Sequence, residues 1–117
     1  MPGVARTVSV LTASKGMVEL RAEVFGAFAV HATPLKTGYL ARAAFSVTHV
    51  TTGRALLTEI SPREAACDLA ARVERAGIAA RIERDDPDTF AAVEWIVNMW
   101  AIQWNKDAIK ITGMIDE

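Results

Sequence analysis

The segment that decides the fold is residues 39–60, YLARAAFSVTHVTTGRALLTEI, because it has the pattern of a β-hairpin. Its first arm is rich in aromatic and β-branched residues, which pack well on a pleated sheet. Residues 51–53 (Thr-Thr-Gly) supply the turn, and the chain returns along 54–60. Successive side chains of a strand point to opposite faces, so Phe45 and Val47 share one face. We expect that face to contact the core.

Strands are also predicted upstream of this hairpin. Residues 7–12 alternate with the period of two that is typical of a half-buried strand. Alternation resumes at Val18 and favours a single strand as far as residue 30 or 31, with one face exposed to solvent. In this strand Gly26 is expected to mark a bulge. A helix over 17–30 is the second interpretation, because the same apolar residues also fit helical spacing.

Downstream of the hairpin, the sequence predicts a helix over 62–76. Ser61 is placed as the N-cap, Pro62 at the first helical position, and Glu64 three residues after the cap, where it closes a capping box. Gly77 follows the predicted end as a left-handed cap. Truncating the Ser61 side chain is expected to cost about 0.5–2 kcal/mol.

The rest of the chain predicts a short strand over 78–83, a second helix over 87–105 and an edge strand at 108–111. Asp86 is the expected N-cap of the second helix, with Pro87 at its first position.

These elements together predict a single α+β domain over 1–117. We expect an antiparallel sheet, mostly a meander of four or five strands within the strand-rich part 7–60, with two α-helices packed on one face.

The helix over 87–105 is more apolar than a helix with one covered face needs to be. Its polar residues Glu94, Asn98 and Asn105 align in one narrow strip, whereas an amphipathic helix needs an apolar stripe only somewhat wider than about 100°. We therefore predict that part of this helix binds another protein or a second copy of the chain, with plain burial as the alternative. The residues predicted to bind the partner are Trp95, Met99, Trp100 and Trp104.

Composition limits the function classes. The 117 residues are 51% hydrophobic and 23% charged, and the net charge of −1 argues against a whole-molecule attraction to nucleic acid or anionic membranes. A single cysteine excludes an internal disulfide and suits a reducing compartment. The first residues have no apolar core of signal-peptide length, and the most apolar stretch, 95–105, has about half the roughly 20 residues of a membrane span. We expect a cytoplasmic protein with no membrane association.

Few side chains are candidates for catalysis or metal binding. His31, His49 and Cys67 are the soft ligands, and none has a second ligand at short spacing. A Cys67–His49 thiolate pair requires the first helix to pack over the strand that carries His49. The acidic run 85–88 is typical of a helix cap rather than of paired catalytic carboxylates. We expect no metal, no cofactor and no enzymatic activity.

Charge is divided between the two halves of the chain. Residues 1–57 have six basic and two acidic side chains, a net +4, and residues 58–117 have seven basic and twelve acidic, a net −5. Either the halves complement each other within the molecule, or the basic half contacts nucleic acid or an acidic partner. The residues predicted for such contacts are Arg21, Arg42, Arg54 and, for stacking, Tyr39.

Two resemblances follow from the hairpin and the helix after it. The run 48–53 (THVTTG), followed by a strand and by 61–66 (SPREAA), resembles small accessory proteins of phages and conjugative elements. Among such proteins, the anti-CRISPR proteins act by occupying a bacterial immune complex. This resemblance implies a phage or mobile-element protein that inhibits host defence by protein binding.

The same strands followed by a helix with Glu64-Ala65-Ala66 also resemble the AP2-type DNA-binding domain. There, three strands lie in the major groove and a helix with a Glu-Ala-Ala run braces them. This resemblance implies the alternative function, a nucleic-acid-binding module that uses a basic sheet face.

Overall fold

The computed structural model describes residues 3–84 and 86–117. In this part of the chain, five antiparallel strands precede three helices. The strands are β1 (Val4–Thr12), β2 (Gly16–Phe25), β3 (Phe28–Pro34), β4 (Leu40–His49) and β5 (Ala55–Ile60). The helices are α1 (Arg63–Arg75), α2 (Ala79–Ile82) and α3 (Pro87–Gln103). The sheet order β1-β2-β3-β4-β5 confirms the meander and the α+β class, but three helices are present rather than two.

The single strand predicted from Val18 to residue 31 is wrong, because the chain turns back between β2 and β3. Phe25 pairs with Phe28 across a two-residue loop that begins at Gly26. Gly26 has φ +63°, which tight hairpin loops require, so this glycine marks a turn rather than a bulge. A Cβ at this position would also collide with the carboxylate of Glu74. The strands exclude the helical interpretation of 17–30 as well.

The β4–β5 hairpin is confirmed. The Gly53 N–H donates to the His49 carbonyl at 2.8 Å, and the His49 N–H donates to the Arg54 carbonyl at 2.9 Å. Val47 is fully buried and Phe45 is partly buried against the same cluster, so the expected face does contact the core.

Helix α1 begins differently from the prediction. Pro62 itself is the N-cap residue, in an extended conformation, and no side chain caps the helix. Ser61 is therefore one residue too far from the first helical N–H groups, and Glu64 closes no capping box. The role of Ser61 is a different one, since its carbonyl oxygen accepts a hydrogen bond from Lys106 Nζ at 2.6 Å. The helix ends at Arg75, and Gly77 has the expected positive φ.

The short strand predicted over 78–83 is a helical turn, α2. Ile78 and Ile82 are both buried, and their N–H and carbonyl groups are joined by a helical hydrogen bond of 3.1 Å from Ile82 N to Ile78 O. Two isoleucines four residues apart lie on one side of a helix, so one turn buries both.

Helix α3 begins as predicted. The carboxylate of Asp86 accepts from the backbone N–H of Asp88 and from the hydroxyl of Thr89, both at 3.1 Å. The helix ends at Gln103, two residues before the expected end, and Asn105 has φ +56°. Asp85, named in the acidic run, lies outside the described residues. No helix in 3–84 or 86–117 is both long enough and apolar enough to cross a membrane.

The C-terminal tail forms no strand at 108–111. Ile109 uses its backbone N–H and carbonyl to bond the side chain of Asn98, so these groups do not pair with the sheet. Further on, Ile115 exchanges backbone hydrogen bonds with Ala55 of β5 at 2.8 and 2.9 Å. Glu117 then bonds the backbone of Leu11, at the end of β1, at 2.9 Å. The tail thus joins the two edge strands, and the sheet is curled around an inner face.

The sheet has an apolar cluster on each of its two faces. The larger one lies between the sheet and the helices and includes Phe28, Val47, Leu69 and Trp100. The smaller one lies on the inner face of the sheet, and its buried members are small: Val8, Val10, Ala22, Val24 and Ala29.

Candidate protein-binding surface

Helix α3 exposes a row of large apolar side chains. Trp95 is 67% exposed, Met99 is 45% exposed and Ile102 is 74% exposed. Their spacing of four and three residues places them on one side of the helix. We refer to Trp95, Met99 and Ile102 as the outer stripe. Single exposed apolar residues are ordinary, but three adjacent large ones on one helix face are typical of an interaction site.

The other tryptophans of α3 face inward. Trp100 has no exposed surface, and its indole N–H donates to the carbonyl of Ala65 at 2.8 Å. Trp104 is partly buried, and its indole N–H donates to the carboxylate of Asp68 at 2.7 Å. Both bonds anchor α3 to α1. Of the residues predicted to bind a partner, Trp95 and Met99 are therefore exposed together, while Trp100 belongs to the core and Trp104 lies against α1.

The polar strip of α3 contacts the C-terminal tail through Asn98. The Asn98 side chain accepts from the Ile109 N–H and donates to the Ile109 carbonyl, both at 2.8 Å. It also donates to the Glu94 carbonyl at 2.9 Å. The tail therefore contacts the polar strip at Asn98, which is partly buried, whereas the apolar outer stripe is exposed. The sequence pattern missed Ile102, although its spacing of seven residues from Trp95 is a signal for it.

The C-terminal end of the outer stripe is bordered by a polar network. Arg72 donates to the side chain of Gln103 and, through Nε, to Asp68 at 3.1 Å. Asp68 also accepts from Trp104, so this network fixes the position of α3 relative to α1.

The residues predicted to contact nucleic acid lie on separate elements. Arg21 is on β2 and Arg42 is on β4, with β3 between these two strands. Arg54 follows the β4–β5 turn, and its Nε lies 3.2 Å from the carboxylate of Asp116. Tyr39 is highly exposed in the β3–β4 loop. No contact recorded among 3–84 and 86–117 brings these four side chains together.

The candidate nucleophile and its candidate base have different partners among the described residues. Cys67 lies beside Glu23, with Sγ 3.9 Å from the carboxylate, and burial followed by the charge of Glu23 raises the pKa of this thiol. His49 is buried, and its imidazole packs against Phe28 in a tilted arrangement, with ring centroids 5.6 Å apart and an angle of 51° between the ring planes. Burial lowers the pKa of His49, and the charge of Glu83 partly opposes this effect. A thiol with a raised pKa is a poor nucleophile.

A polar cluster on the inner face of the sheet was not predicted. His31 Nε2 lies 2.6 Å from the hydroxyl of Thr48, which donates to the carboxylate of Glu117 at 2.8 Å. His31 Nδ1 donates to the carbonyl of Ala32 at 2.8 Å, because a carbonyl can only accept. All three side chains are buried, and the cluster ties the tail to the sheet. Alternation along β3 and β4 indicates that His31 and Thr48 point inward, but nothing in the sequence pattern links them to Glu117.

No family model matches this chain, and no curated protein or solved structure matches it either. In the described ranges, no group of three or more His, Cys, Asp or Glu side chains has the arrangement of a metal site.

Proposed function

We propose that this protein is a non-enzymatic protein-binding module that acts through the outer stripe of α3. The observation that carries the proposal is the exposure of Trp95 together with Met99 and Ile102 on a helix whose Asn98, on another side, is bonded to the tail. Tryptophan is among the residues that contribute most to binding energy, and a helix face of this kind packs well against another apolar helix or groove.

The occupant that we infer is a second copy of the chain, with the two α3 helices antiparallel. In this arrangement Met99 lies near the two-fold axis, and Trp95 of one copy faces Ile102 of the other, so the stripe complements itself. The antiparallel helix dipoles also oppose each other favourably.

Sedimentation velocity over a range of concentrations tests this proposal. The wild type is expected to associate reversibly, and a variant with Trp95→Ser and Ile102→Ser is expected to remain a monomer. Val4→Ser is the matched control, because Val4 is also a highly exposed apolar residue but lies on β1. A wild type that stays monomeric at every concentration contradicts self-association through the stripe.

Tryptophan fluorescence gives a second measurement on the same samples. Trp95 is the exposed indole, so acrylamide should quench mainly its emission in dilute protein, and association should protect it. In Trp95→Phe the quenchable fraction is expected to fall sharply. Protection from quenching by another protein, but not by a second copy, would favour a different partner, such as the immune complex that the anti-CRISPR resemblance implies.

A further inference from the structure

A cavity lies at one end of the curled sheet, away from α3. Its volume is about 460 Å³, within the range of roughly 300–1,000 Å³ that is typical of small-molecule sites. The β1–β2 loop forms one side and the β3–β4 loop forms the other. Lys15 Nζ of the first loop lies against Gly38 of the second, so the two loops meet at the mouth. The mouth of a barrel-like sheet is a common place for a ligand.

The wall of the cavity is mainly apolar. Val18 and Leu20 of β2 contribute to it from the inner face of the sheet, and both also pack on the smaller core cluster. Leu35 and Leu40 contribute from the β3–β4 side and are exposed. An apolar chain placed here would cover side chains that are now in water, which favours its binding.

The rim of the cavity is positively charged. Lys15 and Lys36 both line it, and neither has an ion pair recorded with the residues that the structure describes. Asp116 and Glu117 also line the cavity. Asp116 is paired with Arg54 at 3.2 Å, and the buried carboxylate of Glu117 accepts from the Thr48 hydroxyl at 2.8 Å and lies 3.6 Å from His31 Nε2, so both acids are held by groups other than the two lysines. The Thr12 hydroxyl accepts from the Lys15 N–H at 3.1 Å and donates to the Gly16 carbonyl at 2.8 Å, which holds the loop that carries Lys15.

We propose that this cavity binds a small amphipathic anion, with its carboxylate between Lys15 and Lys36 and its aliphatic chain along the valine and leucine wall. The proposal follows from the two lysines and the apolar wall meeting in one cavity, and it does not depend on the outer stripe of α3.

Isothermal titration calorimetry with octanoate, 1-octanol and octylammonium tests the proposal, because the three compounds share the chain and differ in the head group. Octanoate is expected to bind at least about tenfold more tightly than 1-octanol, since a charge-assisted hydrogen bond is worth about this factor. Octylammonium is expected to bind most weakly. Equal binding of all three compounds, or no binding of octanoate, would overturn the proposal.

Charge variants locate the binding site. Lys15→Ala with Lys36→Ala should reduce octanoate binding to the level of 1-octanol, whereas Lys110→Ala, which removes a lysine outside the cavity, should not change it. Leu35→Asp adds an acid to the exposed rim and should weaken octanoate while strengthening octylammonium. Octanoate binding that survives the double lysine variant would place the ligand elsewhere and refute the assignment.

Discussion

Helices α1 and α3 pack on each other, but they differ in where their apolar residues lie relative to the core. The buried residues of α1 form one stripe of small and medium side chains, Ala65, Ala66, Leu69, Ala70 and Val73, and apart from Cys67 and Ala71 the rest of the helix is charged. In α3, apolar residues are both buried, as Val97 and Trp100 are, and exposed, as Trp95 and Ile102 are. An apolar pattern therefore locates the core side of α1 but not that of α3. The exposed apolar residues of α3 therefore do not contribute to the core.

The largest expected difference is between two tryptophans of α3. Trp100→Ala should destabilise the protein by about 3–5 kcal/mol, because it leaves a cavity and removes the bond to Ala65. Trp95→Ala should change the free energy of unfolding by less than about 0.5 kcal/mol. Urea unfolding at concentrations where the wild type is monomeric measures both. A large loss for Trp95→Ala would show that the outer stripe is part of the core after all.

A second test concerns the polar side of α3. Asn98→Ala should cost about 1–3 kcal/mol, because the N–H and carbonyl of Ile109 lose their partner in a partly buried position. Ile102→Ala is the control, since Ile102 lies on the exposed outer stripe of the same helix and its truncation should cost little in the monomer. Hydrogen exchange should show the Ile109 amide opening faster in Asn98→Ala only. An unchanged Ile109 amide would mean that the tail is held by other contacts.

Local sequence predicts an element of this fold correctly where its short pattern fits a single type of structure. Alternation with a Thr-Thr-Gly turn predicts the β4–β5 hairpin, and Asp86 before Pro87 predicts the start of α3. Gly26 fits both a bulge and a turn, and two isoleucines at 78 and 82 fit both a strand and a helical turn. In these cases the tertiary contacts decide, and the sequence pattern is ambiguous.

The candidate sites were predictable to different extents. The excess apolar surface of α3 follows from its composition. Which side of the helix is exposed depends on the positions of α1 and the tail, and a helical wheel of α3 gives no information about either. Lys15 and Lys36 are separated by twenty residues and lie in two loops, which meet only because the sheet curls. No spacing rule relates them.

The buried histidine at the end of β4, His49, gives a third test. Burial lowers the pKa of His49 in the folded protein, whereas in the unfolded chain the group titrates at its ordinary value of 6.5. As the pH falls below about 6.5, the unfolded state therefore binds more protons than the folded state. The free energy of unfolding decreases from that pH down to the lower pKa of the folded protein. The decrease is at most about 1.4 kcal/mol per pH unit. In His49→Gln this part of the pH dependence should disappear. An identical pH profile in the variant would assign the effect to other groups.

The smallest expected effects separate the two helix starts. Asp86→Ala should cost about 0.5–2 kcal/mol, because the carboxylate accepts two hydrogen bonds from the first turn of α3. Ser61→Ala should stay within about 0.5 kcal/mol, since only the carbonyl of Ser61 makes a contact and alanine retains it. Thermal unfolding of the two variants side by side resolves this difference. Equal losses would mean that Ser61 does cap α1 in solution, and that the start of α1 is closer to the capping-box pattern than the structure shows.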